Sequence, residues 1–202
     1  VAVHLQDLPT VAILPVKSFR LGKGRMAGDL SEDARSSLGQ ALAERTADLA
    51  VEVGLIPVLV AGDAEVADWA LLQGLPSIPD PGGGLDRAAE DGARWADLSA
   101  SPWIVLHADL PLLTASELEA VETARADRGW AIAPSADGGT TALGGRGPAV
   151  FTYGPGSFRR HLGRFPEAGI VVRTGLLHDV DSYSDLAAAR RVPRGAWLAG
   201  LI

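Results

Sequence analysis

The feature that most constrains this chain is an alternation: short runs of branched apolar residues, each followed by a segment with apolar residues at helical spacing. From Thr10, TVAILPV reads as a buried strand closed by Pro15. Ser31 can cap a helix with Glu32 and Asp33 in its first turn, and LGQALAERTADLAVEV keeps helical spacing as far as Gly54. LIPVLVAG follows as a second strand, AEVADWALLQ as a helix ended by Gly74, PSIP as a short third strand and LDRAAEDGARWADL as a helix. PWIVLHADLP begins as the most apolar strand, TASELEAVETARAD is a helix capped by Thr114, and GWAIAPS is a further strand. Alternation of this kind predicts an α/β fold, a mostly parallel sheet covered by helices on both faces. After Ser135 the texture changes to glycine-rich loops and short apolar pieces (AVF, GIVV), with helices expected across GSFRRHLGRF and SYSDLAAARR.

A length of 202 residues, 47% of them hydrophobic, is enough for one sizeable core, so a single domain over 1–202 is expected. The absence of cysteine excludes disulfides and thiolate metal sites. No run approaches the ~18 apolar residues of a membrane span. The start lacks the basic-then-apolar order of a secretion signal, so a soluble cytoplasmic protein is expected; the short beginning at Val1 fits a processed or truncated terminus. A net charge of −7 argues against nucleic acid or an anionic membrane as a partner. Within this acidic chain, LPVKSFRLGKGRM carries Lys17, Arg20, Lys23 and Arg25 with no acidic residue among them, and it holds the only two lysines.

Ligands of open parallel sheets bind beyond the carboxyl ends of the strands. The cationic loop follows the first strand there, with Gly22 and Gly24 letting the backbone approach a ligand; Asp109 follows the fourth strand, and Asp179 and Asp181 lie in HDVDSYSDL. Cations facing isolated carboxylates suit a nucleoside triphosphate with Mg²⁺: guanidinium and ammonium groups neutralise phosphate oxygens, and carboxylates give the metal hard ligands. Two plainer readings stand beside this one, a solvated surface loop for the cations and a helix-capping or amide-bonding role for Asp109. The chain has no G-x-x-x-x-G-K followed by Ser or Thr, PGGGLD lacks the G-x-G-x-x-G spacing, and there is no G-x-S-x-G elbow. His4, His107, His161 and His178 lack H-x-x-x-H spacing, so no zinc is expected and each reads as a structural histidine.

LPVKSFRLGKGRMA, GGGLDRAAEDG, HADLPLLT, GGTTAL, YGPGSFRRHL and DVDSYSDLAAA occur in the order found in the 2-phospho-L-lactate and phosphoenolpyruvate guanylyltransferases of coenzyme F-420 biosynthesis, which the chain resembles from Val11 to about Arg191. The resemblance implies a nucleotidyltransferase fold, glycosyltransferase-A-like and Rossmann-like. It implies a reaction that joins GTP to the phosphate of a three-carbon acid, phosphoenolpyruvate in preference to 2-phospho-L-lactate or 3-phosphoglycerate, with release of pyrophosphate and hand-off to the next enzyme of the pathway. On matching motifs, Lys17, Lys23 and Arg25 are the catalytic cations. By the same resemblance Asp109 and Asp181 would hold Mg²⁺, and Thr140, Gly154 and Ser157 the acid. Gly82, Gly83, Gly84, Leu85 and Asp86 lie near the guanine and ribose. The chain departs from the pattern at His107, where Pro is common, at Thr141, where Asn is common, and at Tyr183, where Pro is usual. A sugar-phosphate or molybdopterin nucleotidyltransferase and a non-catalytic nucleotide-binding protein remain as other readings, and the oligomeric state is left open.

Overall fold

The computed structural model describes residues 8–201; Val1 and His4 lie outside the described residues. The first strand, β1 (Val11–Val16), shows why the sheet needs cover on both sides. Ala12 and Leu14 face one hydrophobic cluster and Val11 and Ile13 face another, as the period of two along a strand requires. The same division holds in β4 (Pro102–Leu106), where Ile104 and Leu106 oppose Trp103 and Val105.

Around these two run β2 (Ile56–Ala61), β3 (Ser77–Pro79), β5 (Ala131–Pro134), β6 (Thr140–Arg146) and β7 (Gly169–Ile170). The order across the sheet is β3-β2-β1-β4-β6-β5-β7. β1 pairs in parallel with β2 and β4, β2 with β3, and β5 with β7; β6 runs antiparallel between β4 and β5. One face is covered by α1 (Glu32–Glu52), α2 (Ala64–Leu72), α4 (Ala115–Arg128) and the short α6 (Thr174–Leu177). The other carries α3 (Leu85–Asp97) and α5 (Ser157–Arg164). α7 (Tyr183–Arg190) and a 3-10 segment, Pro193–Gly200, close a third, smaller cluster.

The caps fall where the sequence puts them. The Ser31 hydroxyl accepts from the Ala34 amide, and Thr114 with Glu117 forms a capping box, which also disposes of Asp109 as the cap of α4. β6 is the correction. TTALGGR lies in what reads as glycine-rich loop, yet it is a strand buried over most of its length. A Cβ at Gly145 would stand 2.4 Å from the Trp130 ring, so glycine here makes room for a neighbour rather than a turn. GIVV contributes only the two residues of β7, and AVF is not a strand although Phe151 is buried.

Candidate active site

The cationic loop leaves β1 and is fixed by apolar residues set beside its charges. Phe19 is buried edge-on against Trp69, ring centroids 5.1 Å apart, and Met26 is fully buried. Arg35 of α1 reaches over to the carbonyls of Arg20 and Gly22. The loop is thus anchored along its backbone, while Lys17, Arg20 and Arg25 keep their side chains in solvent and Lys23 is largely covered. Its four cations then divide. Arg20 turns outward to Glu65 and Glu32, at 3.0 and 3.3 Å. Lys17 is exposed and lines both of the larger clefts, where Gly62 lets the strands close up behind it; a Cβ there would stand 2.1 Å from the Lys17 carbonyl oxygen. Lys23, in a left-handed conformation at φ 55°, places its Nζ 2.6 Å from Asp109 Oδ2 and 3.9 Å from Asp181 Oδ1. Arg25 lies 3.6 Å from Asp181.

These carboxylates come from segments about seventy residues apart. Asp109 is three residues beyond the end of β4, and its carbonyl accepts from the Val180 amide. Val180 is buried in the cluster that holds Met26, so the acidic HDVD turn and the cationic loop share one anchor. Asp179 and Asp181 flank it.

Burial alone would raise the Asp109 carboxyl, but the Lys23 ammonium and the His107 ring hold it below the ordinary carboxylate value. Asp179 moves the other way, pushed up by burial and by the Asp109 charge. Asp109 Oδ1 and His107 Nε2 are both out of water with no hydrogen-bond partner. Among the described residues, one group of potential metal ligands assembles: His107, Asp109 and Asp179 offer atoms all within 4.8 Å of one another. Asp181, half-exposed, stands beside it. Orphaned oxygen and nitrogen atoms beside further carboxylates are a donor set that fits a divalent cation.

Two clefts adjoin here. One of about 290 Å³ is lined by Lys17, Lys23, His107, Asp109 and Asp181; the other, about 410 Å³, by Asp80, Gly82, Gly83 and Gly84; Lys17 and Leu85 line both. Gly82, Gly83 and Gly84 all have positive φ, a path that other residues take only under strain, and the Gly82 amide donates to Asp80. The Asp86 carboxylate accepts from the Tyr153 amide and so ties α3 to the loop before α5.

Thr140, Gly154 and Ser157 gather at a different place. Thr140 and Ser157 are buried, their hydroxyls 3.2 Å apart, and neither lines the two clefts. His161, fully buried, stands behind them: its Nε2 accepts from the Thr152 amide at 2.9 Å, which leaves the proton on Nδ1, 3.0 Å from Thr140 Oγ1. Burial, with Arg160 and Arg164 nearby, lowers the imidazole to about 4. Thr141 faces the other way and donates to the Leu176 carbonyl at 2.6 Å.

Sequence reasoning passed over His107 as a lone structural histidine and noted Asp179 without a role. The signal for the first was available: residues two apart on an extended segment, as in H-A-D, share a face.

The sequence matches the family described as "Guanylyl transferase CofC like" over residues 10–186. A phosphoenolpyruvate guanylyltransferase of Sphaerobacter thermophilus is 33% identical over 94% of this chain and 97% of its own length. A 2-phospho-L-lactate guanylyltransferase of Methanoregula boonei is 33% identical over 87% and 79%. Among solved structures, a Desulfovibrio desulfuricans G20 protein described as a nucleotide-diphospho-sugar transferase superposes with a TM-score of 0.74 at 15% identity, covering 95% of both chains, a likeness of fold. With a matched span that takes in the cationic loop, both clefts and the acidic turn, the chain belongs to the CofC-like guanylyltransferase family.

Proposed function

We propose that this protein transfers the guanylyl group of GTP to the phosphate of phosphoenolpyruvate, in coenzyme F-420 biosynthesis. The observation that carries the reading is the Lys23 ammonium lying between Asp109 and Asp181 in the wall of the cleft that all three share with Lys17. A triphosphate needs both signs of charge there, cations for its oxygens and carboxylates for its metal. Curated relatives named for phosphoenolpyruvate favour that acid, and the relative named for 2-phospho-L-lactate supplies the competing one.

A phosphate oxygen of the acid attacks the α-phosphorus of GTP, the bond to the β-phosphate bridging oxygen breaks, and pyrophosphate leaves. Lys17, Lys23 and Arg25 hold the triphosphate and offset charge on the leaving group. The Gly82–Asp86 loop borders the cleft that takes the nucleoside. Thr140, Gly154 and Ser157 form the wall assigned to the acid; with two of the side chains buried, contact there falls to backbone amides and to the start of α5. Asp109, Asp179 and Asp181 would hold Mg²⁺, which when bound supplies Lewis-acid polarisation and charge neutralisation at the α-phosphate. No protein base is needed, because the attacking phosphate is already an anion at neutral pH.

Pyrophosphate release with GTP and Mg²⁺, offering phosphoenolpyruvate, 2-phospho-L-lactate and 3-phosphoglycerate separately, tests the proposal; a downstream enzyme that traps labile product belongs in each reaction. Release with phosphoenolpyruvate is expected. Release with 2-phospho-L-lactate alone would reassign the acid, and silence with all three from protein that binds GTP would refute the reaction.

A further inference from the structure

Among the described histidines, His107 is the one with a buried ring nitrogen that lacks a hydrogen-bond partner. Its backbone amide belongs to the sheet, donating to the Thr141 carbonyl at 2.9 Å. Its ring lies 5.8 Å from that of Tyr153, a contact that leaves the imidazole edge free, and Nε2 is out of water without a hydrogen-bond partner. His161 is the contrast, with both ring nitrogens bonded. A buried nitrogen left unpaired is destabilising, so its place in the wall of the cleft that Lys23 and Asp109 line calls for a partner that arrives from outside.

The neighbours decide what that partner is. His107, Asp109 and Asp179 bring ligand atoms within 4.8 Å of one another, and Asp109 keeps Oδ1 unpaired while Lys23 holds its Oδ2. Two carboxylates alone would suit a hard ion such as Mg²⁺. An imidazole beside them changes the donor set, because nitrogen is a poor ligand for Mg²⁺ and a good one for first-row transition ions.

We propose that His107 is a nitrogen ligand of the divalent-cation site it forms with Asp109 and Asp179, and that this site therefore binds Mn²⁺ in preference to Mg²⁺. The inference rests on the reading of Asp109 as a cation ligand and sharpens which ion the site takes. The zinc argument from sequence concerned paired histidines on one helix, whereas here one histidine meets carboxylates from two segments brought together by folding.

Mn²⁺ alone is the probe, added to the full chain without GTP or acid. Pulsed electron paramagnetic resonance of bound Mn²⁺ should show ¹⁴N coupling from a directly ligated imidazole, and His107→Ala should abolish it. The variant should weaken Mn²⁺ about tenfold, the size of one lost ligand worth roughly 1.4 kcal/mol, while Mg²⁺, measured by competition, weakens less than about threefold. Asp109→Asn should weaken both ions.

Wild-type protein without nitrogen coupling would overturn the proposal, and because that measurement needs no variant, it decides even if His107→Ala fails to fold. Equal weakening of Mn²⁺ and Mg²⁺ by His107→Ala, or undiminished Mn²⁺ binding by Asp109→Asn, would overturn it too. Nitrogen-coupled Mn²⁺ in a protein inactive with every acid would leave this inference standing and remove the guanylyltransferase reading; turnover without nitrogen coupling would do the reverse.

Discussion

His161 should make this protein acid-sensitive in a window above that of its lowered carboxylates. In the folded chain its imidazole is lowered to about 4 from the ordinary 6.5, first by burial and then by Arg160 and Arg164, against the opposing pull of Asp86. Geometry gives the same direction. Nε2 accepts the Thr152 amide, so protonating it would set two donors face to face in a site closed to water. Below pH 6.5 the unfolded chain takes up a proton that the folded chain refuses, and stability falls with pH until about 4, where the folded state protonates as well. A separation of about 2.5 pH units, at about 1.36 kcal/mol each, amounts to about 3 kcal/mol lost across that window. Asp109, Asp137 and Asp185 are all lowered below 3.8, so what they contribute is lost only under more acidic conditions. Asp179 is raised, binds its proton earlier in the folded state and opposes the trend. The assay is urea unfolding at half-unit steps from pH 7.5 to 4, wild type beside His161→Gln, whose amide can accept from Thr152 without titrating. The variant should begin about 1 kcal/mol less stable, having lost the bond to Thr140, and should then lose most of the slope between pH 6.5 and 4. Parallel curves for the two proteins, or a His161 ring that titrates near 6.5 by NMR, would refute the reasoning.

Asp109→Asn should cut turnover at least ~100-fold, about 2.7 kcal/mol of transition-state stabilisation, with circular dichroism unchanged, because the residue lies beyond the strand and its loss relieves Asp179 of a like charge; near-normal turnover would detach it from the cation. Lys17→Ala should raise the GTP KM by roughly 10-fold or more, as expected for one charge-assisted contact, with the KM of the acid within about twofold. Gly92→Ala tests how closely α3 sits on the sheet: the new Cβ would stand 2.4 Å from Cγ2 of the fully buried Ile13, an overpacking cost of about 1–3 kcal/mol set against about 1 kcal/mol of helix propensity gained. A net loss of up to about 2 kcal/mol in denaturant unfolding is expected, and a more stable variant would show that the helix can lift away.

What could be read from sequence follows the range over which each feature is decided. β1 to β5 and α1 to α4 are set by patterns a few residues long, apolar runs and caps, and they lie where those patterns put them. β6 is set from outside. Gly144 and Gly145 carry no strand propensity, and their use appears only in the fold, where Gly145 leaves space for Trp130, stacked on Phe165 at 3.9 Å, and Gly144 lies close against Ile104 and Arg125. The site divides along the same line. Asp109 and the basic loop are legible because ligands of such sheets gather at strand ends. The convergence of His107, Asp109 and Asp179 is not, since it depends on the Val180 amide finding the Asp109 carbonyl 71 residues earlier in the chain. One local signal does connect the halves. Phe19 lies beside Arg20, Met26 beside Arg25 and Val180 between two aspartates, each buried next to a more exposed charge. Setting an anchor beside a charge holds the charged side chains along the cleft, so the apolar residues inside a charged loop mark where it docks as clearly as the charges mark what it binds.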